Sequence, residues 1–226
     1  MTQRVTQVRR PRPGQHALPR EFIAQHQRAR IVAALAEETV DKGYRAVTVA
    51  DVVRRAGIAR NTFYENFSSK EDCFLAAYEF AVEEAMRRVV EAGSELESWP
   101  ARVNAGLAAF LSYVASEPAL AHTCVVEALS AGPAAVERRE RSIQEFVPLF
   151  RLGRKVSPQG ENLPPTLEEQ IVGGLFWILY QRIVSGKVEE IESLRPELVE
   201  FALSPYIGSE AAKRSAAEAP AAPTAG

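Results

Sequence analysis

The chain has 226 residues, with 27 basic and 29 acidic side chains, a formal charge of −2 and 46% hydrophobic residues; that composition supports a packed core and excludes wholesale disorder. Its longest near-continuous apolar stretch, Ile171 to Tyr180, is far short of the ~20 residues a membrane helix needs. No apolar segment follows the N-terminal arginines, so neither a membrane span nor a signal peptide is expected and the chain reads as cytoplasmic.

Residues 1–20 contain five arginines, three prolines and no acid, which predicts a disordered basic arm. From Glu21 to Lys42, Ile31, Leu35 and Val40 recur at helical spacing, and Gly43 follows as a stop. Thr48-x-x-Asp51 has the pattern of a capping box and opens a short helix over 49–56. Gly57 ends it, and a second short helix is expected over 60–66. Ser69-x-x-Asp72 opens a longer helix to about Ala92, with Phe74, Tyr78, Ala81, Val82, Ala85 and Val89 along one face. Pro100 and Pro118 sit where first-turn prolines open helices, expected to run to Ser116 and to about Ala131. A helix over 134–155 should be interrupted at Pro148, and a loop over 156–165 follows. Thr166 caps a helix to about Ser185, and a last one spans 195–206. The Ala/Pro/Ser/Glu-rich tail, 208–226, has no periodicity and is expected to be disordered. No strand emerges, so the fold class is all-α, with a three-helix head over 21–70 and a helical body over 71–207.

Charge separates along the same line. Residues 1–70 carry 13 Lys/Arg against 6 Asp/Glu, and the remainder 14 against 23. A basic first third on an acidic body suits a head that binds a polyanion. Residues 48–72 read TVADVVRRAGIARNTFYENFSSKED, two short helices joined by a tight turn at Ala56-Gly57, the pattern of a helix-turn-helix. Over about residues 25–75 this segment resembles the DNA-binding head of the tetracycline-repressor (TetR) family, and TFYENFSSKE is the most specific part of the likeness.

The second short helix would place Arg60, Asn61 and Thr62 at base edges: Arg suits guanine, Asn adenine, and the Thr methyl a thymine methyl. Tyr64, Lys70 and Thr48 suit phosphate contacts, and the resemblance implies the same role for these three. Phe63 and Phe67 read as core. Position 59, Ser or Thr in the pattern of the family, is Ala59 here, which removes an N-cap oxygen from the second short helix.

The helix 166–185 is apolar over most of its circumference and must be covered on two sides. Val172, Leu175, Phe176 and Leu179, with Leu198 and Ala202 of the last helix, are the expected homodimer interface, similar to the four-helix interface of the TetR family. Phe110, Tyr113, His122, Cys124, Phe146, Phe150 and Trp177 are candidates for lining a small-molecule effector pocket. With two cysteines and no third ligand near His122 and Cys124, no metal site is expected; no catalytic motif or cofactor-binding loop is present, so no enzyme and no cofactor are expected. The resemblance implies a homodimeric transcriptional regulator, a repressor released from a palindromic double-stranded operator by an unknown small-molecule effector. The alternative is a DNA-binding dimer whose body is a protein-interaction module without a ligand.

Overall fold

The computed structural model describes residues 20–220; the arm expected over 1–20 lies outside the described residues but for Arg20, where the first helix begins. Ten α-helices and no strand are present among the described residues.

The head is made of α1 (Arg20–Lys42), α2 (Val49–Ala56) and α3 (Arg60–Asn66). Ile31, Leu35, Val52, Phe63 and Phe67 form its core, which puts both phenylalanines where the sequence places them. The α2 start is the expected capping box: Thr48 Oγ1 accepts from the Asp51 amide, and the Thr48 amide donates to Asp51 Oδ2. Gly57 ends α2 in the left-handed region, at φ +62°, and its N–H reaches back to Val53 and Arg54 carbonyls. A side chain there would be strained, so the turn that aims α3 depends on this glycine.

The body follows as α4 (Lys70–Gly93), α5 (Trp99–Ser116), α6 (Pro118–Val125), α7 (Pro133–Arg151), α8 (Leu167–Val184), α9 (Arg195–Ile207) and α10 (Ser209–Ala217). Helix α6 is shorter than expected: it stops at Val125 and a 3-10 turn over Glu127–Leu129 completes the path. Helix α7 runs through Pro148 without a break. The proline removes one N–H, but Pro148 and Gln144 are both exposed, so water can take the carbonyl left unpaired. Thr166 does not cap α8; its Oγ1 accepts from Gln170 Nε2 instead.

The tail expected to lack structure over 208–226 holds α10. Its Ala212 and Ala216 are buried, and α10 packs on α5 and α9. Asn104 Nδ2 donates to the Ser215 and Glu218 carbonyls, and Arg195 Nη1 donates to Asn104 Oδ1. Alanines alone give no large-residue periodicity, yet they are the best helix formers and allow close packing. The body therefore extends past residue 207.

Candidate nucleic-acid interface and effector cavity

Helix α3 presents Arg60, Asn61 and Tyr64 to solvent, with Thr62 half-buried. The base-reading and backbone-holding candidates are not independent: Arg60 Nη2 donates to Tyr64 Oη at 3.3 Å, one turn on. Asn66 Nδ2 donates to the Thr62 carbonyl, and Arg28 Nη1 to the Asn66 carbonyl, which ties the end of α3 to α1. Ala59 indeed leaves α3 without a side-chain cap. Thr48 is exposed, and its hydroxyl also donates to Asp51 Oδ2.

Lys70 behaves as a strut. Its Nζ donates to the carbonyls of Tyr44 and Val47, each at 2.8 Å, and lies 4.2 Å from the Tyr44 ring centroid. Burial lowers its pKa. Two of its three N–H groups are thus committed to the loop between α1 and α2, leaving one for a phosphate. The spacing of the sequence carries no signal of this.

Three other head cations are paired with carboxylates. Arg55 binds Glu37, Glu38 and Asp41, while Arg54 and Lys42 bind Asp51, and Lys42 binds Glu38. The Lys42, Thr48 and Arg54 partners hold the Asp51 carboxyl well below the usual carboxylate range.

In the body, α4, α5, α7 and α8 enclose an apolar cavity of about 240 Å³. Phe110, Phe146 and Phe150 line it, together with Leu107 and Phe176. Gly106 allows the close approach of α5 to α4: a Cβ there would sit 3.1 Å from Val89 Cγ1. The mouth is marked by the exposed lining residues Val90, Ser94, Arg102 and Leu152. Arg102 is the one cation among the lining residues, and its Nε donates to the Leu96 carbonyl at 2.6 Å, which holds the guanidinium at the rim. Sequence reasoning missed Arg102 because an arginine on an exposed helix position has no signature of its own.

Tyr113 and Cys124 line a second, smaller cavity rather than this one. His122 lines neither cavity, and its Nδ1 is buried without a hydrogen-bond partner. Trp177 is 58% exposed and stacks on Tyr180, so it belongs to the outer surface and not to a pocket.

The residues expected at a partner interface are also displaced. Val172, Leu175, Leu179, Leu198 and Ala202 are buried within their own chain, and Val172, Leu175 and Phe176 line the large cavity. The uncovered apolar face of α8 and α9 is instead Trp177, Val184 and Phe201. A Cβ on Gly173 would meet nothing within 4 Å, whereas one on Gly174 would lie 3.1 Å from Phe201 Cζ. Gly173 therefore opens outward and Gly174 seats a ring of the same chain.

Head and body meet where α1 packs on α6 and α4, and at the loop between α1 and α2. Glu127, in the turn after α6, accepts from the Tyr44 amide through Oε2 at 3.3 Å. The same loop is held from its other side by Lys70, the first residue of α4, and α4 runs from there to the mouth of the cavity at Val89, Val90 and Gly93.

The family model for bacterial regulatory proteins of the tetR family matches residues 31–77. The HTH-type transcriptional activator FasR of Mycolicibacterium smegmatis is 29% identical over 97 residues, 43% of this chain and 42% of that protein. The chain thus matches less than half the length of this curated relative. The fatty acid degradation regulator FadR from Bacillus halodurans superposes with a TM-score of 0.71 at 15% identity, covering 78% of this chain and 94% of its own. The FadR regulator from Bacillus subtilis, in complex with stearoyl-CoA, superposes with a TM-score of 0.69 at 18% identity, covering 78% and 98%. At these identities the two structures share the fold: a helix-turn-helix head on a helical body.

Proposed function

We propose that the chain, whose residues 31–77 match the model for bacterial regulatory proteins of the tetR family, is a DNA-binding regulator of that family and a homodimeric repressor released from a palindromic operator by an amphiphilic effector. The observation that carries this reading is α4. Its 24 residues extend about 36 Å, with the Lys70 clamp on the head at one end and the cavity mouth at the other. A ligand that moves α4 at Val89 and Val90 moves the loop on which the head is seated. Two heads must meet half-sites a whole number of turns apart, so a small change in their separation abolishes paired docking. For that to happen the effector must bind one arrangement better than the other.

The cavity supports a ligand with a long apolar chain and an anionic end: its walls are aliphatic and aromatic and Arg102 stands at its rim. The stearoyl-CoA named for the Bacillus subtilis structure has that chemistry. The uncovered Trp177, Val184 and Phe201 supply the partner face.

An operator chosen from a random DNA pool should be bound by the protein and released on addition of stearoyl-CoA. Stearoyl-CoA at a hundred times its Kd should also raise the melting temperature by about 5–10 °C, from ~2.7 kcal/mol of linkage. No release and no shift would leave a ligand-free body, with a partner protein as its regulator. A second reading is favoured by the name of FasR, an activator: there the effector would tighten operator binding, which the same titration reads directly.

Within the head, Asn61→Ala should relax preference at one position in each half-site by ~1–3 kcal/mol, whereas Tyr64→Phe should weaken all sequences alike. Parallel loss of specific and nonspecific binding in Asn61→Ala, measured by competition in gel shifts, would remove its base-reading role.

A further inference from the structure

The second cavity, about 60 Å³, lies behind the aromatic end of the first. The two share Phe110, Phe146 and Phe176 as a common wall. The Phe110 and Phe146 ring centroids are 5.7 Å apart, and those of Phe146 and Phe176 6.4 Å. Rings have no hydrogen bonds to break, so rotation of these side chains is the movement that would join the two spaces.

Beyond the rings the chemistry changes. Tyr113 lines the small cavity and is 6% exposed, and its hydroxyl is buried with no hydrogen-bond partner. Buried hydroxyls are nearly always bonded, because desolvation without a partner is costly. Burial also pushes the phenol's pKa up, so it stays a neutral donor at physiological pH. Tyr113 follows the rim residue Arg102 by three turns of α5, about 16 Å along the helix.

We infer that the small cavity is the distal subsite of the effector site, and that it selects an acyl chain carrying a hydroxyl or keto oxygen at its far end, with Tyr113 Oη as the donor that reads it. The inference rests on the effector-cavity reading proposed above. Arg102 meets the anionic end, the large cavity takes the methylenes, and the chain passes the three phenylalanines to place its oxygen against Tyr113.

The test compares lauroyl-CoA with ω-hydroxylauroyl-CoA, two ligands that share a head group and a chain of suitable length, on wild type and on Tyr113→Phe. Wild type should bind the hydroxylated chain about three- to tenfold more tightly, the worth of one neutral hydrogen bond. Tyr113→Phe should lose that preference while keeping its affinity for lauroyl-CoA. Its melting temperature without ligand should be equal or higher, because only an unpartnered hydroxyl is removed. Equal binding of the two ligands by wild type, weaker binding of the hydroxylated one, or a preference that survives in Tyr113→Phe would overturn the inference and leave the effector reading standing. Failure of wild type to bind lauroyl-CoA and stearoyl-CoA alike would instead overturn the effector reading, and the subsite with it.

Discussion

Replacing Trp177 and Phe201 together by glutamate should yield a folded monomer that has lost at least about a thousandfold in operator affinity. Both side chains are largely outside the core, at 58% and 47% exposed, so neither carboxylate is buried within the subunit. In a dimer the same positions would place desolvated like charges at the centre of the α8 and α9 face. A lone head contacts one half-site, and specific binding falls toward the nonspecific level, a gap of at least ~10³. Sedimentation separates this outcome from misfolding. Leu175→Glu is the contrast: Leu175 is buried in its own chain, so that variant should unfold. An intact dimer with native operator affinity in the double variant would exclude this face.

The second large effect is expected below the cavity. Glu168 is 1% exposed; its Oε1 accepts from Arg154 Nε at 2.7 Å and from Tyr206 Oη at 3.1 Å. Tyr206 in turn packs edge-on against Trp99, a lining residue of the large cavity. Gly153 completes this floor, since a Cβ there would fall 2.5 Å from Trp99 Cη2. Burial pushes the Glu168 carboxyl up, but Arg154, the helix backbone and Tyr206 outweigh it and hold the pKa below the ordinary 4.5. The pair therefore stabilises the fold above that ordinary value, and its contribution is lost as pH falls through the lower folded one. Arg154→Ala strands the buried carboxylate and should cost about 3–5 kcal/mol at neutral pH. In the variant only the helix backbone and Tyr206 still oppose the effect of burial, which is the largest, so the carboxyl should rise and the deficit should shrink as pH drops toward 4.5. Denaturant unfolding at the two pH values measures both the size and the direction. A deficit independent of pH would show that Arg154 acts through its carbonyl contacts to Gly160, Leu163 and Pro164, and not through Glu168.

The head was the most legible part of the chain because its signals are local. The capping box at Thr48 and Asp51, the left-handed Gly57 and the Ser69 cap each bind atoms a few residues away, and the α2 and α3 boundaries follow from them. What stayed hidden depends on distant partners. Helical spacing shows that α8 is apolar on two sides, but not which side its own body covers, so spacing alone points Val172 and Leu175 outward and Trp177 inward. Lys70 looks like a free cation until the Tyr44 and Val47 carbonyls arrive from across the head. Helix α10 escaped because alanines pack without announcing a face. Of the pocket candidates, Phe110, Phe146 and Phe150 line the cavity, because large rings at helical spacing mark an interior, whether that interior is filled or hollow.

Arg54 and Arg55 are claimed by carboxylates of α1 and α2, Arg28 and Arg30 by backbone carbonyls, and Lys70 by two more, so these cations of the head are held in place before any duplex arrives, while exposed Arg45 and Arg60 have no carboxylate partner among the described residues. Nonspecific residence on DNA scales with the number of phosphates neutralised. Side chains already held in place lose little conformational freedom on docking, so the contacts of such a head would favour a duplex whose phosphates match their fixed positions.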